Sequence, residues 1–359
     1  MPDIISNPEL ITPAWLTSAL QSVGYLANGR VASASYKVIG TGKMGDNARF
    51  SLQYEGEQGD APNSVVAKLP AADIQARGNS AATGAYDREV QFYDIAAPHT
   101  TMRTPEIYFN AVNEAGDDFI TLMEDLSPAE PGNQLVGCTV EQAKLAVVEA
   151  ARLHASFYGS PKLANYAWVT NGAEPDSAAF GHALMVENWP LFAQRFAQYL
   201  TPERIAMGAQ YSKNYDKWVS GYTLPATMIH GDYRAENMMF GGDTSAAPIA
   251  IVDWQTASAN NPLNDVAYFL GGSVQLELRR EIERDMVELY RAELNRLGVE
   301  LDADTAWREY RRGTCHGLII TVLGAMFTEA GERSDKMFGA MIAGHLQHAV
   351  DLDAHEFWT

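Results

Sequence analysis

Cysteine is nearly absent. The chain of 359 residues has two, Cys138 and Cys315, far apart and in no CxxC or zinc-ligand spacing. They give no footing for a disulfide framework or a zinc centre and read as ordinary thiols of a reducing compartment, so a cytoplasmic location is expected. Basic charge is also scarce, with 26 Lys and Arg against 45 Asp and Glu and a net charge of −19. No Lys/Arg run competes with this acidity, which argues against a nucleic-acid partner. The acidity favours solubility, and it would suit a cationic substrate. Long apolar runs are missing: the longest, near Gly317 to Phe327, is too short to span a bilayer. Met1 to Leu10 lacks the basic-then-apolar layout of a signal peptide. Repeats and low-complexity tracts are absent too. What remains is globular, with 47% hydrophobic and 20% charged residues and enough length for about two domains.

The most informative stretch runs from Met228 to Gln255. Two apolar runs, Asn237 to Phe240 and Ile249 to Val252, flank a linker of Gly, Ser, Ala and Pro, which predicts a hairpin. Asp232, Asn237 and Asp253 stand at its ends, with Asn237 five residues after Asp232. That arrangement suits phosphoryl transfer. Asp232 would accept the proton of an acceptor hydroxyl, and Asn237 and Asp253 would give hard oxygen ligands to a Mg2+ bridging ATP phosphates.

Upstream, Thr12, Pro13 and the apolar set Trp15, Leu16, Ala19 and Leu20 predict a short helix. Tyr36 to Ile39 and the alternating Ala48 to Tyr54 predict two strands around a glycine loop. Gly40, Gly42 and Gly45, with Lys43 and Met44 between them, would let backbone N–H groups approach a phosphate. A strand rather than a helix after the loop favours a kinase-type loop over dinucleotide binding. Ser64 to Leu69 predicts a third strand carrying Lys68, a charge that is costly there unless paired. Residues 71–85 are small and polar and predict a mobile loop. Thr104 to Phe109 and Phe119 to Met123 complete five strands around a Gly116-Asp117-Asp118 turn.

His230-Gly231-Asp232 with Asn237, followed by Asp253-Trp254-Gln255, resembles the catalytic loop and metal-binding segment of the aminoglycoside phosphotransferase and choline kinase superfamily. Met238-Met239-Phe240 and Gln255 resemble its ecdysteroid kinase-like subgroup in particular. The resemblance implies a bilobal, α+β protein-kinase-like fold. An antiparallel five-stranded N-terminal lobe with a helix would bind nucleotide over residues 1–126, and a mainly helical lobe over 127–359 would carry catalysis and the acceptor. It implies further that Lys68 contacts the α and β phosphates and pairs with Glu89, with Asp87 as the nearby rival. Backbone groups of Glu124 and Leu126 would bond adenine at the interlobe hinge, and His230 would brace the loop. The loop sequence Tyr233-Arg234-Ala235-Glu236 departs from the Leu-His-Pro-Gly common in aminoglycoside enzymes, so aminoglycoside resistance is not the implied activity.

After residue 138 the patterning is helical. Thr139 and Gln142 form a capping box, and His154 reads as a structural histidine. The aromatics Trp168, Trp189, Phe192, Phe196 and Tyr199 are core or pocket lining. Asp265, in Pro262-x-x-Asp265-Val266-Ala267, sits near a helix start, where its carboxylate would meet unpaired N–H groups and support the catalytic loop. Gly298 ends one helix, and Asp302 or Asp304 starts the next. The reading is an ATP- and Mg2+-dependent phosphotransferase acting on a small-molecule hydroxyl, of undetermined oligomeric state. The alternatives are a nucleotide-binding regulatory protein without turnover and, more weakly, a protein kinase.

Overall fold

The computed structural model describes residues 2–40, 45–241 and 247–359. It divides into two compact units. The first holds Met1–His99, Thr104–Pro128 and Val252–Thr256; the second holds Thr100–Arg103, Ala129–Ile251 and Ala257–Thr359.

The first unit opens on α1, Pro13–Ser22, whose N-terminus is capped by the Thr12 hydroxyl accepting from the Trp15 N–H. The strands β1 (Arg30–Ile39), β2 (Gly45–Glu55), β3 (Ser64–Pro70), β4 (Ile107–Val112) and β5 (Phe119–Glu124) make one antiparallel sheet in the order β1-β2-β3-β5-β4. The alternation read from sequence sets its faces. Phe50 and Leu52 are buried with Leu16, Leu20 and Ile120 in one apolar cluster. Residues 71–85 differ from expectation. They form α2, Ile74–Ala82, because Asp73 Oδ1 accepts the Ala76 N–H and starts a helix that the small side chains permit. Then comes α3, Ala85–Gln91, continued by a π-helical turn over Phe92–Ala96.

The second unit is mainly helical. It contains the short strand β6 (Glu130–Pro131) and α4 (Val140–Phe157), which begins with the reciprocal Thr139–Gln142 capping box. Next come α5 (Pro175–Arg195), α6 (Pro202–Lys213), α7 (Tyr215–Ser220) and β7 (Thr227–Ile229). The hairpin is present as β8 (Met238–Phe240) and β9 (Ile249–Ile251), paired antiparallel from Met238 opposite Ile251. β10 (Ser258–Asn260) pairs with β7. The chain finishes with α8 (Leu263–Ser273), α9 (Leu276–Arg296), α10 (Ala303–Gly313), α11 (His316–Phe327) and α12 (Glu332–Asp351). Gly298 takes the left-handed φ of +90° just past α9, and Asp302 caps α10 through the Thr305 N–H. Trp189, Phe192 and Phe196 belong to the buried core of this unit. Both cysteines are buried and unbridged. Among the described residues no helix is long and apolar enough to cross a membrane.

Candidate functional site

In the first unit the strand lysine, the helix glutamate and the Asp-Trp-Gln segment come together. Lys68 on β3 is buried, and its Nζ lies 2.7 Å from Glu89 Oε2 on α3 and 2.9 Å from Asp253 Oδ1. Gln255 Nε2 donates to Glu89 Oε2 at 3.1 Å, so both ends of the segment engage the same pair. Burial alone would push the Lys68 ammonium down, but the charges of Asp253 and Glu89 overcome it and hold the group above its ordinary value. Burial pushes the Glu89 carboxyl up, and the ammonium opposes that. One buried cation between two carboxylates keeps the cluster from being an uncompensated charge.

The segment is fixed in two further ways. Trp254 is buried and stacks on Phe92 with ring centroids 3.5 Å apart and planes 6° apart. Arg88 donates to the Gln255 carbonyl at 2.6 Å. Asp253 itself has φ +68°, a left-handed conformation unusual for a residue with a side chain, and its side chain is 39% exposed. The rival Asp87 faces Gln91 within α3, not Lys68.

Two glycines of the expected loop are described. Gly40 has φ +75°, which glycine adopts without strain. A Cβ on Gly45 would lie 2.9 Å from the Leu69 carbonyl and 3.6 Å from Lys68 Cε, so only glycine lets β2 begin this close to the lysine. Gly42, Lys43 and Met44 lie outside the described residues. At the expected hinge, the Glu124 N–H donates to the Glu106 carbonyl at 2.8 Å, and Leu126 lies in the irregular stretch after β5.

In the second unit the Asp232 loop is built between β7 and β8. Its backbone is held by Asp265 on α8, whose buried carboxylate accepts the His230 N–H at 2.7 Å and the Gly231 N–H at 3.0 Å. His154 Nε2 approaches the same carboxylate at 3.2 Å while its Nδ1 meets the Tyr290 hydroxyl at 2.8 Å. His154 is therefore structural. Asp265 braces the loop as expected, and the N–H groups its carboxylate meets are those of the loop. Burial works against its charge, but the bonds from His154 and the His230 N–H hold its carboxyl below the usual carboxylate range. His316 Nε2 lies 3.0 Å from the Gly231 carbonyl. His230 is buried with its ring edge-on to Tyr233, and its backbone N–H is the group that ties it to the brace.

Asp232 has a side chain 22% exposed. Its Oδ2 accepts from Arg234 Nε and from Asn237 Nδ2, each at 3.0 Å, and its Oδ1 accepts from the Tyr268 hydroxyl at 2.6 Å. Arg234 also pairs with Glu236, which meets Arg333 at 3.3 Å. Asn237 Nδ2 donates to the Asp232 carbonyl as well, at 2.8 Å, which leaves its amide oxygen as the atom it can offer a metal. The contacts of Arg234 and Tyr268 with Asp232 were not foreseen from sequence. The available signal was spacing: Tyr268 falls one helical turn after Asp265, on the helix already assigned to brace the loop.

In the first unit Asp253 presents a partly exposed carboxylate, and in the second Asn237 keeps an amide oxygen free of its own donor bonds; each is a hard oxygen of the kind Mg2+ takes. Among the described residues no group of three or more His, Cys, Asp or Glu is placed to hold a metal.

The family model described as ecdysteroid kinase-like matches residues 44–302. No curated protein sequence matches the chain. Among solved structures, a choline kinase from Cryptosporidium parvum superposes with a TM-score of 0.55 at 10% identity, covering 90% of this chain and 91% of that one. The GDP complex of aminoglycoside 2′-phosphotransferase IIIa gives 0.54 at 16% identity, covering 95% and 98%. A candidate aminoglycoside phosphotransferase from Ralstonia eutropha gives 0.54 at 16%, covering 93% and 98%. At such identities the likeness establishes the protein-kinase-like fold.

Proposed function

The chain belongs to the ecdysteroid kinase-like family, and from that premise we propose that it is an ATP- and Mg2+-dependent phosphotransferase that moves the γ-phosphoryl group to a hydroxyl of a small molecule. The observation that carries the reading is Lys68 held at 2.7 Å by Glu89 and at 2.9 Å by Asp253. A fixed cation beside a strained, partly exposed carboxylate is the arrangement that phosphate binding with a metal requires.

In this reading the first unit binds nucleotide. Lys68 would bond the α and β phosphates, Gly40 and Gly45 would let the backbone come close to them, and the backbone of Glu124 and Leu126 would receive the base. Asp253 and Asn237 would each offer an oxygen to Mg2+, whose charge would offset that developing on the phosphates. The second unit supplies acceptor chemistry. Asp232 orients the acceptor hydroxyl and takes its proton at a carboxylate oxygen. Since both oxygens are already hydrogen-bonded, its main contribution is placement, which a loose phosphoryl-transfer transition state rewards most. Arg234 keeps its charge: burial disfavours the cation, but Asp232, Tyr268 and Glu236 raise its pKa overall. His230 braces the loop through the Asp265 bond.

The experiment is transfer of label from γ-labelled ATP, and separately GTP, into pools of aminoglycosides, choline-like amines, sugars and sterols, with Asp232→Asn alongside. GTP is included because a structural relative was solved with GDP. The expected result is a labelled product from wild type, reduced at least about 100-fold by Asp232→Asn while nucleotide binding persists. No nucleotide binding at all would overturn the proposal. Nucleotide binding without transfer from any pool would favour the regulatory reading.

A further inference from the structure

Asp232 is held from two sides. Arg234 and Asn237 bond Oδ2, and both lie within a few residues of it on the loop; Tyr268 bonds Oδ1 from α8. The same helix fixes the loop backbone one turn earlier, through Asp265. Tyr268 is 1% exposed. A core position of that kind would be filled equally well by phenylalanine, and the hydroxyl is the part that a purely apolar role leaves unexplained.

Behind the phenol ring lies His345 of α12, fully buried and stacked on it, with centroids 5.0 Å apart and planes 8° apart. Neither ring nitrogen of His345 has a hydrogen-bond partner among the described residues. The imidazole edge is enclosed by glycines: a Cβ on Gly317 of α11 would lie 2.3 Å from Nδ1, and one on Gly272 of α8 2.6 Å from Nε2. Such contacts cannot exist, so these positions admit only glycine while the imidazole stays in place. Burial, aided by His348 and His316, pushes His345 down to about 3, so it is a neutral plate at ordinary pH.

We propose that Tyr268 is a positioning residue that fixes the Asp232 carboxylate in one orientation, with His345, wedged between the glycines, holding the phenol ring in place. The idea rests on the phosphotransfer reading of Asp232. Tyr268 touches no reacting atom; it acts through the carboxylate. Its phenol is raised well above 10 by burial and then by the Asp232 charge, so it is a permanent donor.

The test uses the full chain and Tyr268→Phe, which keeps the ring and its stack. Crystal structures of both proteins are compared, and turnover of Mg-ATP is measured with water as acceptor and with any acceptor found in the pools. The variant is expected to show the Asp232 carboxylate rotated or split between orientations. Its kcat should fall roughly 10- to 100-fold, with KM for Mg-ATP within about two-fold of wild type. Incorporating 3-fluorotyrosine, which restores a donor, should restore both orientation and rate. A wild-type carboxylate orientation in Tyr268→Phe overturns the proposal, as does a loss of melting temperature with kcat unchanged. Asp232→Asn separates the two layers. If Asp232→Asn turns over like wild type, the phosphotransfer reading fails; if it is inactive while Tyr268→Phe behaves as wild type, only the role of Tyr268 fails. Should wild type show no turnover, the carboxylate orientation still decides.

Discussion

The Lys68 cluster and the Asp232 cluster solve opposite problems with the same kinds of side chain. In the first, a cation is buried and two carboxylates are brought to it, with Glu89 wholly out of solvent. In the second, a carboxylate stays partly open to solvent and donors are arranged around it. The first arrangement depends on charge balance in a medium where an unpaired ion is expensive. The second depends on geometry, since each hydrogen bond beside water contributes modestly to stability. Stability and rate should therefore separate between the two.

The largest loss of stability is expected for Lys68→Met, which leaves Glu89 buried without its cation. We expect about 3–5 kcal/mol and a melting temperature roughly 10 °C lower, read by calorimetry. Glu89→Gln combined with Lys68→Met should recover part of it, and failure to recover would mean that the pair is not the source of the loss. Next comes Asp265→Ala. It strands the His230 and Gly231 N–H groups and the His154 ring, and should cost about 3 kcal/mol. Its loop should also exchange amide protons faster, at His230 and Gly231 first.

Acid should act through the same residue. The folded-state pKa of Asp265 is depressed, so its contribution is complete above the unfolded value of about 3.9 and is lost as pH falls through the lower folded value. Asp351, also depressed despite burial because Arg280, Gln347 and Arg279 bond it, adds in the same direction. Denaturant midpoints should be flat from near neutral down to roughly pH 5 and then fall. Asp265→Ala should flatten that fall, and an unchanged slope would remove Asp265 from the account.

Smaller still is Gln255→Leu, which deletes one bond to Glu89 and should cost about 1 kcal/mol. Smallest is Asp232→Asn, expected within about 1 kcal/mol of wild type in stability. A large stability loss there would erase the contrast between the clusters.

Much of this was legible in the chain. The strands, the hairpin and the Thr139 capping box follow from local patterning, because period, caps and spacing are encoded within a few residues, whereas the protein-kinase-like fold was implied by the resemblance that the His230-Gly231-Asp232 and Asp253-Trp254-Gln255 motifs carry. Lys68 was legible for a different reason: a charge in an apolar strand demands a partner, and the structure supplies Glu89. What stayed hidden depends on distant segments meeting. The support Asp265 gives the loop was legible, but not the atoms that receive it, the His230 and Gly231 N–H groups more than thirty residues upstream. Tyr268 sits in an apolar run, and nothing local marks its hydroxyl as aimed at Asp232. The helix over Ile74–Ala82 was missed because small polar residues resemble a loop until Asp73 is seen to cap them. The grouping of Val252–Thr256 with the first unit is likewise invisible to any linear boundary.

The left-handed backbone at Asp253 bears on how that residue is interrogated. Alanine there would remove the carboxylate and also force a methyl into a conformation costing about 1–2 kcal/mol, so one substitution would report two unrelated changes. Asparagine and glycine tolerate that φ, and asparagine keeps the shape of the side chain. A ladder of asparagine, glycine and alanine at this position separates loss of the anion from loss of the side chain and from backbone distortion, which alanine scanning alone would merge into one number.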